Sequence, residues 1–188
     1  MKLSWSHKLF LRINKMLGTR PLLDKIMYFF GQWLIVALAL ATAIFAFTFL
    51  SKEQYVIYFI LAAITFLLAY GISYTIAFFF KHPRPVREFP NVKELIIPLK
   101  TWKSFPSDHT IAATLFTIFS WYATYSVPIF ITMWIAALCV MAGRVYCGVH
   151  YPRDIIGGIV VALFSTALVV FGFFIFIFFA FGSPFIMN

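Results

Sequence analysis

The chain has 188 residues, of which 63% are hydrophobic and only 11% are charged. About half of the residues of a soluble domain are apolar, so this composition argues against a soluble domain and favours one integral membrane domain over residues 1–188. The charged residues concentrate at the ends of apolar runs, and their cationic character favours a small anionic ligand. No nucleic-acid partner is predicted.

The N-terminal segment has the pattern of an amphipathic helix that lies along a membrane surface. Apolar residues recur at helical spacing between Trp5 and Leu17, and polar residues such as His7 and Arg12 lie between them. We therefore predict an interfacial helix within residues 1–25. The same pattern is compatible with a helix that binds a cytosolic partner protein.

Four apolar stretches follow, each long enough for the about 20 residues that a membrane-spanning helix needs. They cover residues 26–50, 55–80, 110–147 and 155–181. The third stretch is long enough for two crossings, and Pro128 near its middle predicts a turn that divides it. The sequence thus predicts an all-α fold: a polytopic membrane helical bundle over residues 26–181 with about five transmembrane helices.

A cleaved secretory signal is the alternative interpretation of the first stretch, because the residues before it are basic. The apolar part of such a signal covers about 7 to 15 residues. This stretch continues to Leu50, so we predict a retained helix.

Three polar clusters occupy the ends of the predicted helices. They comprise residues 81–87, 107–109 and 144–154. If consecutive helices cross the membrane in alternate directions, all three clusters lie on one side, together with a predicted active-site loop over residues 81–106. Ionisable groups are costly at bilayer depth, so their concentration at one surface indicates a site for a phosphate ligand.

The third cluster contains the residues best suited to nucleophilic chemistry. His150 precedes Asp154 by four residues, about one helical turn, and Arg144 precedes His150 by six. A carboxylate at that spacing can accept a hydrogen bond from one imidazole nitrogen and leave the other nitrogen free to attack. His150 is the predicted nucleophile.

The second cluster, with Pro106, Ser107, Asp108 and His109, opens a helix. Ser107 or Asp108 could serve there as a helix cap and nothing more. A helix N-terminus also binds phosphate, and His109 in its first turn could protonate a leaving oxygen. The two interpretations are compatible, and both stay open here.

The first cluster combines cations with prolines. Arg84 lies between Pro83 and Pro85, in a stiff frame that suits forked recognition of phosphate oxygens. Other cations of the loop are interpreted as anchors in lipid headgroups, because long basic side chains extend to the membrane interface. These are Arg87, Lys93, Lys100 and Lys103.

A metal site is the alternative use of the histidines. His82, His109 and His150 offer three nitrogens, and an aspartate would complete a zinc site. The surrounding lysines and arginines would repel a cation, so no metal and no cofactor is predicted. Cys139 and Cys147 do not form a CxxC pair and are expected to be apolar fillers.

Taken together, the clusters resemble the signatures of the membrane-bound type 2 phosphatidic acid phosphatase superfamily. The family pattern is Lys, six residues, Arg-Pro; then Pro-Ser-Gly-His; then Ser-Arg, five residues, His, three residues, Asp. The matching positions are residues 84–85, residues 106–109, Arg144, His150 and Asp154. Three positions depart from the pattern, because Ala77 replaces the lysine, Asp108 the glycine and Gly143 the serine.

The resemblance implies a metal-independent phosphatase with a phosphohistidine intermediate. His150 would attack phosphorus, Asp154 would orient it, and His109 would protonate the leaving group before activating water. The phosphoryl oxygens would be held by Arg84, Ser107, Arg144 and the backbone near Asp108. Lys81, one turn beyond Ala77, is a candidate replacement for the missing ammonium.

The Pro-Ser-Asp-His variant without the first lysine resembles the members that dephosphorylate undecaprenyl diphosphate, the lipid carrier of bacterial cell-wall synthesis. That membrane lipid is the expected substrate, with phosphatidic acid, phosphatidylglycerophosphate or an archaeal dolichyl-type diphosphate as alternatives. A non-catalytic lipid-phosphate binder or transporter is the alternative of another class, and the two histidines with Asp154 argue against it. No oligomeric state is predicted.

Two indications of membrane orientation disagree. The N-terminal cations place the clustered side in the cytoplasm by the positive-inside rule. The family resemblance instead implies a site on the outer face of the cell membrane, and cations that serve a site carry little weight in such a count. We expect the outward orientation.

Overall fold

The structure is a computed structural model that describes residues 3–98 and 101–181. Its helices are α1 (Trp5–Asn14), α2 (Pro21–Gln32), α3 (Leu34–Phe49), α4 (Lys52–Phe79), α5 (Pro85–Glu88), α6 (Asp108–Thr124), α7 (Val127–Tyr146) and α8 (Pro152–Phe181). No strand occurs among these residues, so the predicted all-α fold is confirmed. Residues 1–2, 99–100 and 182–188, which the sequence-based segments included, lie outside the described part.

Three helices of this part, α4, α7 and α8, are each long and apolar enough to cross a membrane. The bent pair of α2 and α3 adds a fourth span if it counts as one. α6 has 17 residues, fewer than the about 20 of a full span, and lies at the centre of the bundle against α3, α4, α7 and α8. The predicted apolar stretches are occupied by α2, α3, α4, α6, α7 and α8. The number of five membrane spans stays a prediction.

The first apolar stretch is a broken helix, where the sequence predicted a continuous one. α2 and α3 meet at Trp33 at an angle of 45°, and α2 already begins at Pro21, inside the segment predicted to be interfacial. Just before the bend, Gly31 lies so close to α7 that a Cβ on Gly143 would come within 2.4 Å of the Gly31 nitrogen. Gly143, which departs from the family's serine, therefore permits a close helix crossing.

A second close crossing joins the start of α6 to the start of α8. A Cβ on Gly158 would lie 2.7 Å from Thr110 Cβ and 2.9 Å from the Ser107 carbonyl oxygen. Ser107 N also donates to the carbonyl oxygen of Asp154 at 3.1 Å. The second and third polar clusters are thereby fixed against each other.

α1 packs on the protein through part of its polar face. Its His7 is only 7% exposed, although the sequence placed this residue among the polar positions of a surface helix. The His7 Nε2 atom lies 3.6 Å from Glu88 Oε1, and its ring meets the Tyr151 ring edge-on. The helix itself is confirmed, and it contacts both α5 and the turn between α7 and α8.

Candidate active site

A cavity of about 240 Å³ lies at the end of the bundle where α4 ends and α6 begins. Its polar lining comprises Gln32, Tyr74, Arg84, Lys103, Asp108, His109, Arg144 and His150. All three sequence clusters contribute to this lining. The structure brings Arg84 of the first cluster into contact with His150 of the third, 66 positions later in the chain. Gln32 and Tyr74, on predicted spans, were not singled out from the sequence.

His150 is held from its inner side by a buried carboxylate. It lies in the turn before α8, is 2% exposed, and its Nδ1 atom is 3.5 Å from Asp154 Oδ2. That oxygen accepts hydrogen bonds from Ser104 Oγ at 2.5 Å and from Tyr151 N at 2.8 Å. The carboxylate is therefore fixed in place and can orient the imidazole. Ser104 carried no sequence signal for this role.

The other nitrogen of His150 lies beside Arg84. Arg84 Nη1 is 3.4 Å from His150 Nε2 and donates to the Val149 carbonyl oxygen at 3.0 Å. Arg84 precedes α5 as its N-cap residue, and Pro85 is the first residue of that helix. The sequence thus correctly identified a constrained arginine, and the fold places its charge at the nitrogen suited to attack.

Arg144 lies in the last turn of α7 and is 3% exposed. Its Nη1 atom donates to the Gly31 carbonyl oxygen at 3.1 Å, next to the bend between α2 and α3. Its Nε atom has no hydrogen-bond partner within the described residues. A buried guanidinium with donor capacity to spare at a cavity is suited to an anionic ligand.

The environment of His150 decides its protonation state. Removal from water is the largest influence and lowers its pKa, and the nearby charges of Arg84 and Arg144 act in the same direction. Asp154 opposes them, and the resulting pKa is about 4. The imidazole is therefore neutral at pH 7, which is the form that can act as a nucleophile.

The second cluster divides into a cap and two cavity residues. Ser107 is the N-cap of α6, where its Oγ accepts a hydrogen bond from Thr110 N at 3.4 Å, and it does not line the cavity. Asp108 and His109, in the first turn, do line it. The capping interpretation thus applies to Ser107, and the ligand-binding interpretation is compatible with Asp108 and His109.

The structure corrects the interpretation of Lys103 in the basic loop. The sequence suggested a headgroup anchor, but the side chain is 3% exposed and lines the cavity. Its ammonium contacts the Asp108 carboxylate and donates to the Pro106 carbonyl oxygen at 3.1 Å. Lys81, the candidate replacement for the missing lysine, is exposed and is not among the residues that line the cavity.

Four further candidates are not among the residues that line the cavity, namely Arg87, Lys93, Cys139 and Cys147. Arg87 and Lys93 are exposed, and the Lys93 ammonium donates to the Leu17 carbonyl oxygen at 2.9 Å. Their interpretation as headgroup anchors stays a prediction, and Lys100 lies outside the described residues. Cys139 and Cys147 are free thiols. Over residues 3–98 and 101–181, no group of three or more His, Cys, Asp or Glu side chains is arranged to hold a metal ion.

Comparisons with known proteins point to one protein family. Residues 57–180 match the model of the PAP2 superfamily. Undecaprenyl-diphosphatase BcrC of Bacillus subtilis is 31% identical over 161 residues, which cover 84% of this chain and 79% of that protein. Putative undecaprenyl-diphosphatase YbjG of Escherichia coli is 27% identical over 157 residues, 82% of this chain and 76% of that protein.

A solved structure shows the same fold. The crystal structure of Aquifex aeolicus LpxE matches with a TM-score of 0.70 at 22% sequence identity, and the match covers 90% of this chain and 96% of that chain.

Proposed function

Because the chain belongs to the PAP2 superfamily of phosphoric ester hydrolases, we propose that it converts undecaprenyl diphosphate to undecaprenyl phosphate in the membrane. The observation that carries this proposal is the position of His150, held between Asp154 and Arg84 at a cavity lined by further cations. The names of the BcrC and YbjG relatives support the choice of substrate.

In the first proposed step, the Nε2 lone pair of His150 attacks the terminal phosphorus of the diphosphate. An N–P bond forms, and the bond from phosphorus to the bridging oxygen breaks. His109 gives a proton to that oxygen, which leaves on the lipid monophosphate. Asp154 stabilises the positive charge that develops on the imidazole, and donors on Arg84 and Arg144 hold the phosphoryl oxygens.

In the second proposed step, a water molecule attacks the phosphohistidine. His109, now deprotonated, takes a proton from the water as the new O–P bond forms and the N–P bond breaks. Inorganic phosphate leaves, and His109 is protonated again. The charge on phosphorus is met by side chains of the protein throughout, and no step requires a metal ion.

We place the cavity on the outer face of the cell membrane. The N-cap of α4, Ser51, lies at the opposite end of that helix from Lys81, and both residues are exposed. In a chain whose Cys139 and Cys147 are replaced by alanine, Lys81→Cys should react with a membrane-impermeant maleimide on intact cells, and Ser51→Cys should not. Labelling of position 51 alone would contradict the outward orientation.

The activity is tested by phosphate release from purified protein, with undecaprenyl diphosphate and phosphatidic acid supplied in parallel and a metal chelator present. We expect chelator-resistant release from the diphosphate, abolished by His150→Ala. His82→Ala is the matched control, because its ring packs on Phe105 and does not line the cavity. It should retain activity.

The outcomes separate the alternatives. Release mainly from phosphatidic acid would replace the proposed substrate with a glycerophospholipid monoester. Binding of the diphosphate without release, in wild-type protein that is folded, would contradict the enzyme and favour a lipid-phosphate binder. Undiminished release by His150→Ala would contradict the proposed nucleophile.

A further inference from the structure

Lys103 is a buried cation whose position requires an explanation. Only 3% of its surface is exposed, and burial of an ammonium is costly unless it is compensated. The Asp108 carboxylate supplies an opposite charge, and the Pro106 carbonyl oxygen accepts a hydrogen bond at 3.1 Å. The Tyr74 ring lies 4.8 Å away and adds a cation–π contact.

These contacts hold the ammonium at the wall of the cavity, with two oxygen partners among the described residues. An ammonium has three N–H donors, and the two oxygen partners account for two of them. Asp108 is itself fixed by Ser73, whose Oγ donates to the same carboxylate oxygen at 3.2 Å. Lys103, Asp108 and Tyr74 all line the cavity. A ligand there can therefore meet a cation that is already oriented.

Lys103 and Arg84 contact different residues of the site. Lys103 is paired with Asp108 in the first turn of α6, next in sequence to His109, the proposed acid for the leaving oxygen. Arg84 contacts His150, the proposed nucleophile. Arg84 therefore meets the phosphorus under attack, and Lys103 is a further cation of the cavity lining that a second phosphate can meet.

The charge of the substrate fits a third cation. A phosphate monoester carries about 1.5 to 2 negative charges at pH 7, which Arg84 and Arg144 can meet. A diphosphate has a second phosphate with its own oxygens, and that phosphate gains charge when the bridging bond breaks. A cation beside it stabilises the transition state more than the ground state.

We propose that Lys103, oriented by Asp108, binds the phosphate that stays on the lipid and so gives the site its preference for diphosphates over monophosphates. This inference rests on the proposed function and adds a specificity-determining residue to it. In this proposal Lys103, a residue of the loop, serves in place of the family lysine, whose position in α4 is occupied by Ala77. Ala77 itself is buried in the bundle, with 1% of its surface exposed.

The test uses inhibition, so that it does not depend on turnover of a monoester. Inhibition constants of methylenediphosphonate and orthophosphate are measured with farnesyl diphosphate as the substrate. The enzymes compared are wild type, Lys103→Met and Lys103→Arg. For Lys103→Met we expect the inhibition constant of methylenediphosphonate to rise by roughly 10- to 100-fold, as for the loss of a charged hydrogen bond. The constant for orthophosphate should change less than about threefold on the same scale, and Lys103→Arg should recover most of the diphosphonate affinity.

The controls separate this inference from the proposed function. Inhibition constants do not depend on the fraction of folded enzyme, so partial misfolding of a variant leaves the result interpretable. Lys81→Met, which removes an exposed lysine at the same end of the bundle, should change neither constant. If both constants rise equally in Lys103→Met, or neither rises, Lys103 is a structural partner of Asp108 and the inference is wrong. If wild type does not hydrolyse the diphosphate at all, the proposed function itself has failed.

Discussion

The two ends of the bundle differ in the charge of the side chains that line their cavities. At one end, Arg84, Lys103 and Arg144 are buried around a cavity of about 240 Å³. At the other end, α4, α6 and α8 enclose a larger cavity of about 400 Å³, lined by uncharged and mainly apolar side chains such as Tyr58 and Phe119. Both cavities are lined in part by residues of α4 and α6, so the helices that they share do not explain the difference.

The difference arises from the loops and from close helix crossings. Loop 81–106 and the turn before α8 bring cations to one end, and glycines at positions 31, 143 and 158 let the backbones approach closely there. At the apolar end the cavity is wide and carries no charge. We therefore expect small substitutions to have large effects at the site end and small effects at the other end.

The largest expected effect is on catalysis, from Asp154→Asn. This change keeps the volume but removes the charge that orients His150 and accepts from Ser104 and Tyr151. We expect kcat to fall on the order of 10²- to 10⁴-fold, with the chain still folded. The measurement is initial-rate kinetics on lipid diphosphate in detergent.

Asp24→Asn is the matched control for that prediction. Asp24 is a carboxylate at the same end of the bundle that accepts a hydrogen bond from Tyr146 OH at 2.6 Å and lies outside the cavity lining. This variant should lose some stability and keep kcat within a few fold on the scale of an indirect effect. An equal loss of kcat in both variants would show that Asp154 acts through folding alone.

A methyl group at the α2 and α7 crossing should have the next largest effect. In Gly143→Ala the new Cβ would meet the Gly31 backbone at 2.4 to 2.8 Å, and such overpacking costs about 2 kcal/mol or more. Gly71→Ala is the control, because nothing lies within 4 Å of its added Cβ. It should be neutral or stabilise by up to about 1 kcal/mol.

Thermal unfolding of both glycine variants in one detergent provides the comparison. We expect a clearly lower Tm for Gly143→Ala, together with reduced activity, because Arg144 follows directly and donates to the Gly31 carbonyl oxygen. Equal Tm values for the two variants would mean that the crossing is not tight.

The pH dependence should report the buried state of His150. Its pKa is lowered from 6.5 to about 4, so the neutral imidazole persists as the pH falls through 6. After correction for the titration of the substrate, the decline of kcat/KM toward low pH that reports protonation of His150 should therefore lie near pH 4. A decline centred near pH 6.5 would show an imidazole in contact with water.

The pH dependence of the free energy of unfolding should also report the titration of His150. Between pH 6.5 and about 4 the unfolded chain binds a proton at His150 that the folded chain does not. The free energy of unfolding therefore decreases as the pH falls through this window, and the contribution levels off below pH 4. His150→Ala should remove this part of the pH dependence of Tm.

Much of this organisation followed from sequence patterns that operate over short distances. The apolar stretches predicted the helices, Pro128 predicted the start of α7, which begins at Val127, and the spacing of His150 and Asp154 predicted their contact. Each of these features depends on neighbours within one or two helical turns.

The features that were missed depend on contacts across the chain. A lysine in a basic loop is typical of the membrane surface, but Lys103 is buried where the Tyr74 ring of α4 meets its ammonium beside the Asp108 carboxylate. The bend at Trp33 accompanies a contact between Gly31 and Gly143, 112 residues apart by their numbers. His7 likewise is a polar residue suited to the surface, but contacts with Glu88 and Tyr151 bury it.

The smallest expected effect is at the apolar end. Tyr58 OH is buried and has no hydrogen-bond partner among the described residues, so Tyr58→Phe should change the free energy of unfolding by less than about 1 kcal/mol and leave activity unchanged. Tyr151→Phe is the counterpart at the site end, where the hydroxyl donates to Glu88 Oε2 at 2.8 Å. It should destabilise by about 1 kcal/mol, and a reversed order of the two unfolding free energies would contradict the comparison of the two ends.

The central claim is that His150 forms the covalent bond to phosphorus. It is tested most directly in a single turnover of the wild-type enzyme, stopped before water has attacked the intermediate. After rapid quenching at alkaline pH with terminally labelled lipid diphosphate, mass spectrometry of the peptides should locate one phosphoryl group on His150. Label on another residue, or phosphate release that continues in His150→Ala, would contradict the account.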